Sequence, residues 1–236
     1  MLDAAIRDAA VYVRPADALV VADVHVGMDE ASEVEFPLGE RRDLVDRLTG
    51  LLDAFEPGEV VFAGDLLHRF DRASLAVDEA LEELTGACRD AGARPVVVRG
   101  NHDRLLASVW SGDVHDAYAL ADTDDGDEPI VVCHGHEAPD RAASLYVVGH
   151  DHPVVTIEGQ RRPCFLYGEG GYRGADVLMC PAFNRLAAGA EVNGMRGRDF
   201  QSPLVTDADA LRPLVYDPDA DETLTFPRLG RFRRML

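Results

Sequence analysis

Nine residues of this sequence have the types and spacing for metal chemistry, and they fall into five short groups. Asp23 and His25 form D-x-H, and Asp65 follows a glycine. Asn101, His102 and Asp103 stand in G-N-H-D, His134 opens H-G-H, and His150 and His152 frame G-H-D-H. Carboxylate, imidazole and amide oxygen donors suit borderline to hard divalent cations such as manganese, iron, zinc or nickel. Thiolate ligands of the structural-zinc type are not part of the set. Cys133, the cysteine beside His134, is expected to alternate to the opposite side of a strand. Two cations about 4 Å apart need a carboxylate between them and together clamp a phosphoryl group. Water bridging such a pair is acidified toward neutrality and becomes the nucleophile.

The elements that must position these groups are legible in the hydrophobic pattern. Each group directly follows a short apolar run, at residues 18–22, 60–63, 95–99, 129–133 and 145–148. Between the first three runs lie two helical stretches. Residues 40–55 put Leu44, Val45, Leu48, Leu51, Leu52 and Phe55 on one face before Pro57-Gly58. Residues 73–91 repeat the pattern and close at Gly92. The βαβαβ order predicts a parallel sheet whose strand ends gather ligands at one edge. Further strand-like runs at 153–157, 163–167 and 176–180 follow at short spacing, with others at 211–216 and 222–226. They predict a second, more antiparallel sheet facing the first, with helices outside. The acidic segments 28–39 and 121–128 read as loops, the first able to reach substrate and the second a solvated surface.

In this order the five groups resemble the signature of the calcineurin-like metallophosphoesterases over roughly residues 18–155. Stretches such as ADVHVGMDE, GDLLHRF, CHGHEAP, GHDHP, RRPCFLYG and CPAFN are similar to the ICC-like phosphoesterases, which include a DNA-ligase-associated group. The resemblance implies an α/β fold of four layers, an αββα sandwich of two facing mixed sheets flanked by helices. It implies two divalent metal ions, with manganese expected. Asp23, His25, Asp65 and His152 would hold one ion, and Asp65, Asn101, His134 and His150 the other, Asp65 bridging. His102 would lie near the substrate phosphate and act as general acid or stabilise the transition state, with Asp103 orienting its imidazole. Asp151 stands where relatives often carry Thr and is expected to point away from the metals.

Three histidines have weaker support. His68 is open between a site-facing and a structural role, and so is His136. His115 has no motif and reads as structural. Arg99 reads as a surface or capping residue, with phosphate contact as the alternative. Arg69 and Arg72 form a possible anion-binding pair or simply a solvated surface.

Length and composition set the remaining expectations. The 236 residues suit a single catalytic domain, with a core over about 11–192 and a C-terminal extension over about 193–236. A net charge of −20, with every basic residue an Arg, argues against broad electrostatic binding of nucleic acid. It also matches a protein of a salt-loaded cytoplasm, as in a halophilic archaeon, where surface charge maintains solubility. Screening is strong there, so this composition reports habitat more than substrate. Cys88, Cys133, Cys164 and Cys180 lack metal-type spacing and read as buried hydrophobes. No apolar run approaches the roughly 20 residues of a membrane span, and the cytoplasm is the expected compartment. The function expected is hydrolysis of phosphoesters by a metal-bridging hydroxide. A phosphodiester, either a nucleotide or a nucleic-acid end, is the preferred substrate. A phosphomonoesterase and a non-catalytic scaffold of a DNA-repair assembly are the alternatives.

Overall fold

Alternation with a period of two sorts the side chains of the central strands into layers. In a computed structural model the chain is described at residues 3–30, 39–68, 74–120 and 129–235. The first sheet has six strands in chain order: β1 (Ala4–Arg7), β2 (Ala10–Val13), β3 (Ala18–Val21), β4 (Glu59–Ala63), β5 (Arg94–Val98) and β6 (Val114–His115). From β3 to β6 the neighbours are parallel. Helices α1 (Glu40–Phe55) and α2 (Leu75–Asp90) make the crossovers. The Ser74 hydroxyl caps α2 by accepting from the Val77 amide at 3.2 Å.

Leu19, Val21, Val60 and Phe62 point outward from this sheet and bury against Leu44, Leu48, Leu81 and Leu84 of the helices. Their alternates Val20, Val61, Ala63 and Val98 point the other way, into a cluster shared with the second sheet. Each fully buried aliphatic side chain in that cluster contributes about 1.5–3 kcal/mol.

The second sheet is mixed, as expected, and has seven strands. β7 (Ala117–Ala119), β8 (Ile130–Cys133) and β9 (Leu145–Val148) form one side of it. β10 (Pro153–Ile157) and β11 (Gln160–Pro163) leave it as a separate hairpin. β12 (Phe165–Tyr172) and β13 (Ala175–Met179) return, β13 pairing in parallel with β9. β14 (Ala190–Glu191) joins the hairpin, while β15 (Arg212–Asp217) and β16 (Glu222–Thr225) complete the large sheet.

Three features differ from the pattern read in the sequence. The N-terminal hairpin β1–β2 extends the first sheet antiparallel to β3. The run at 153–157 belongs to the small three-stranded sheet, not the large one. The run at 163–167 is divided, with Pro163 ending β11 and Phe165 starting β12.

The outer layer on the second sheet comes mostly from the C-terminal segment. Phe200, Leu204, Leu211, Leu229 and Phe232 pack on Tyr146, Val148 and Leu166. Short turns and two one-turn helices, α3 (Leu106–Val109) near the first sheet and α4 (Leu229–Phe232) here, supplement the long pair. The four cysteines are buried free thiols, as expected. Among the described residues no helix is long and apolar enough to cross a membrane. Segment 121–128 and most of segment 28–39, with Arg69 and Arg72, lie outside the described residues.

Candidate metal centre

Five strand ends bring the nine residues together. Asp23 and His25 follow β3, Asp65 follows β4, and Asn101, His102 and Asp103 follow β5. His134 follows β8, and His150 and His152 follow β9, which runs parallel to β8. The exits from β3, β4 and β9 turn abruptly through left-handed backbone. Asp23 (φ 55°), His25 (φ 47°), Asp65 (φ 47°), His150 (φ 77°) and His152 (φ 46°) all lie there. Such a conformation costs a non-glycine residue on the order of 1–3 kcal/mol and persists only where its surroundings enforce it. Hydrogen bonds do so here: the His25 amide donates to the Asp65 carbonyl at 2.8 Å, and the Asp23 amide to Gly64 at 3.2 Å.

The two carboxylates are aimed by backbone. Oδ1 of Asp65 accepts from the His102 amide at 2.8 Å, and Oδ2 of Asp23 accepts from the His150 amide at 2.9 Å. Gly100 and Gly149 permit this close approach. A Cβ on Gly100 would collide with the Asp65 carboxylate, and one on Gly149 with that of Asp23. The second oxygen of each acid is thereby turned toward the imidazoles.

Those remaining donor atoms converge. His25 Nε2 lies 3.3 Å from His152 Nε2, which lies 3.2 Å from Asp23 Oδ1. His134 Nε2 lies 3.0 Å from Asn101 Oδ1 and 3.1 Å from His150 Nδ1. Asp65 Oδ2 sits between the two groups, 3.9 Å from His25 Nε2 and 3.4 Å from His134 Nε2. Donors bound to one cation at about 2.1 Å are separated by roughly 3.0–3.4 Å, which all of these spacings match except the wider 3.9 Å from Asp65 to His25. Asp23 Oδ1 is buried and makes no well-aligned hydrogen bond among the described residues, as a ligand atom awaiting a cation would. The carboxylate, imidazole and amide donors therefore fit a divalent metal pair.

Electrostatics follow from two buried acids among imidazoles. Burial opposes ionisation of Asp23, but His152, His134 and His25 outweigh it and hold the carboxyl below its usual range. Asp65 behaves likewise: burial raises it, and the bond to His134 with the neighbouring imidazoles lowers it further. His134 answers to the same pairs. Burial would lower it, but Asp65 and Asp23 raise it to about 9. His25 is pushed down to about 4 by burial, against the pull of Asp23 and Asp65. Burial and His134 also depress His150.

The flanking residues sort themselves by position. The His68 ring lies edge-on to His25, with centroids 5.5 Å apart, and forms a candidate metal-holding trio with His25 and His102. His136 stands 5.1 Å from the His134 ring. His115 packs on Tyr118. Arg99 pairs with Asp116 at 3.4 Å.

Asp103 is held by backbone donors. Its carboxylate accepts from the Leu67 amide at 2.9 Å and the Gly100 amide at 2.8 Å, and Nδ1 of His102 meets the His68 carbonyl at 3.0 Å. Through these bonds Asp103 ties the loop after β4 to the loop after β5 beside the His102 ring.

Asp151 points away from the candidate ligands, as expected. It accepts from the amides of Gln201 at 2.8 Å and Ser202 at 3.0 Å, tying the G-H-D-H turn to the C-terminal layer. Two buried residues escaped the sequence reading. Glu40, at the start of α1, accepts from the amides of Gly27 and Met28 at 3.1 and 3.0 Å. Asn184 donates to Glu40 at 2.5 Å and to the carbonyls of Val24 and His25. The CPAFN stretch containing Asn184 was the available signal; Glu40 had none beyond its place at a helix start.

Facing sheets with carboxylates and imidazoles converging at their strand ends define a class, the metal-dependent phosphoesterases. The family model for calcineurin-like phosphoesterases matches residues 17–178, and the chain belongs to that family. The protein is thus a hydrolase of phosphoester bonds in a family that uses a dinuclear metal site. Among solved structures it is similar to the nuclease MPE of Pseudomonas putida, at 26% identity and a TM-score of 0.61, covering 93% of this chain and 92% of that one. It is also similar to Yfce, a phosphoesterase from E. coli, at 14% identity and a TM-score of 0.46, covering 89% of this chain and 98% of that one. No curated protein sequence matches.

Proposed function

We propose that the protein is a manganese-dependent phosphodiesterase acting on nucleotides or nucleic-acid ends. The observation that carries the dinuclear reading is Asp65 Oδ2, which faces His25 Nε2 on one side and His134 Nε2 on the other. Asp23, His25, Asp65 and His152 hold one ion; Asp65, Asn101, His134 and His150 hold the other. Bound there, two divalent ions supply Lewis acidity that polarises the phosphoryl group and makes water acidic near neutral pH. The carboxylate and amide oxygens suit manganese, while the imidazoles also admit iron, zinc and nickel.

The chain's own residues do the rest. The bond between Nδ1 of His102 and the His68 carbonyl fixes that nitrogen as the N–H, so Nε2 is the atom that carries and delivers a proton to the leaving oxygen. His102 Nε2 stands 3.9 Å from Asp65 Oδ2, at the border of the ligand cluster. A diester substrate is supported by similarity to a nuclease over nearly the whole chain. Motifs similar to the ICC-like group support a place beside DNA repair. A net charge of −20 without Lys supports a halophilic source and a salt-rich cytoplasm. The packing of Phe200, Leu211 and Phe232 on the second sheet supports treating 1–236 as one catalytic domain.

The test compares bis-p-nitrophenyl phosphate with p-nitrophenyl phosphate at saturating manganese. Diester hydrolysis with the higher kcat/KM supports the proposal, and preference for the monoester overturns the substrate assignment.

A further inference from the structure

The chain is strongly acidic, yet one cavity on it is lined by arginine. This basin, of about 630 Å³, is bounded by Arg7, Arg47, Arg161, Arg162 and Arg185, with Asp8 the one acid among its described lining residues. Arg47 is committed to structure: its side chain is 9% exposed and donates to Asp8 and to the Phe183 carbonyl. The others differ. Arg185 touches Asp43 and Asp8, but its side chain is 63% exposed. Arg161 donates to the carbonyls of Ala188 and Gly189, and Arg162 to the side chain of Gln160. Among the described residues neither Arg161 nor Arg162 has a carboxylate partner.

The basin adjoins the metal centre. A smaller cavity of about 120 Å³ is lined by His152 and Asn184 and shares Asp8, Arg47, Pro163 and Arg185 with the basin. The covalent path is equally short. His152 leads directly into β10, and the β10–β11 hairpin carries Arg161 and Arg162 back beside it. The opposite flank is different in charge. There a cavity of about 530 Å³ beside His134 sets Arg99 and Arg141 against Asp116, Glu137 and Asp140. Of these two cavities, the one on the His152 flank has more guanidinium groups than carboxylates among its described lining residues, and guanidinium is the side-chain group best shaped for bidentate contact with phosphate.

We infer that this basin binds backbone phosphates of a single-stranded polynucleotide on one side of the scissile bond, with Arg161, Arg162 and Arg185 as the contacts. The inference rests on the phosphodiesterase reading and adds a binding surface to it. At high salt the Debye length falls to about 3 Å, so only guanidinium groups in direct contact with phosphate contribute, and each such contact weakens as salt rises.

The test uses the full-length, manganese-loaded protein. Anisotropy of a fluorescein-labelled phosphorothioate dodecathymidylate reads binding, and bis-p-nitrophenyl phosphate reads the chemistry alone. Arg162→Gln/Arg185→Gln is expected to weaken oligonucleotide binding about tenfold, equivalent to about 1.4 kcal/mol. It should also flatten the slope of log K against log salt by about 1.4, or about 0.7 for each lost single-strand contact. The kcat/KM for the small diester should stay within about twofold of wild type. Arg162→Gln alone breaks no ion pair among the described residues and should give half the slope change, which covers the case that the double variant misfolds. Arg89→Gln, on α2, should match wild type. Unchanged oligonucleotide binding in the double variant, or equal loss on both substrates, overturns the basin. Wild-type protein that hydrolyses no diester but shows the binding shift refutes the phosphodiesterase reading and leaves the basin standing.

Discussion

The His102 amide donates to Oδ1 of Asp65 across 2.8 Å, and this bond leaves Oδ2 facing both groups of imidazoles. One peptide N–H thus sets the orientation of the acid that would bridge two metals. Its neighbour Asp103 fixes the same loop by accepting from Gly100 and Leu67. Removing charge at Asp65 while keeping its shape should expose the bridge. Asp65→Asn is expected to lower bound manganese from two equivalents to one or none, and kcat by at least about 10³-fold. Metal analysis of the dialysed variant, beside diester kinetics, checks both; two retained equivalents would refute the bridge.

His102 should separate metal binding from proton delivery. His102→Ala is expected to keep both equivalents of manganese while kcat falls by about 10²–10⁴-fold. The loss should be larger for a deoxynucleoside leaving group than for p-nitrophenolate, which needs no proton. Equal losses on the two leaving groups would remove His102 from the proton-donor role.

Asp151 links the metal-binding turn to the C-terminal layer through two backbone donors. Hydrogen bonds to a charged group contribute about 1.5–3 kcal/mol each, offset in part by burial of the carboxylate. Asp151→Ala is expected to cost about 2–3 kcal/mol, or roughly 5–10 °C in Tm. Asp151→Asn should cost less, since one acceptor remains. A Tm within 1 °C of wild type in Asp151→Ala would show that the C-terminal layer does not brace the site through this contact.

Glu40 supplies a pH signature. Burial, with Asp29 facing it, pushes its carboxyl from 4.5 up to about 7, against the donors Asn184 and Met28. A carboxyl raised in the folded state binds its proton more tightly there than in the unfolded chain. Its stabilising contribution is therefore full below about pH 4.5 and is lost as pH rises through 7. Glu40→Gln removes this titration. Wild-type stability relative to the variant should fall between pH 4.5 and 7, by up to about 3 kcal/mol. Chemical denaturation of both proteins across this range checks it, and parallel pH profiles would contradict it.

Much of the site was legible because its groups are local. D-x-H, G-N-H-D and G-H-D-H each pack their residues within four positions at the end of an apolar run, so neither pairing nor register had to be known. The parallel order of β3, β4 and β5 followed from two amphipathic helices between three apolar runs. The braces were not legible because their partners are distant. Glu40 meets Asn184 across 144 positions, and Asp151 meets Ser202 across 51. No periodicity marks such pairs. The left-handed backbone at Asp23 and His25 was equally hidden, since that conformation is ordinarily announced by glycine. The N-terminal hairpin was hidden for a different reason: its four-residue strands, AAIR and AVYV, carry little alternation.

The most direct test of the account is the manganese dependence of diester hydrolysis by the metal-stripped protein. Manganese should be taken up to two equivalents per chain, with hydrolysis of bis-p-nitrophenyl phosphate rising to its plateau as the second equivalent binds. A plateau at one equivalent, or two bound equivalents with no hydrolysis of the diester, would contradict it.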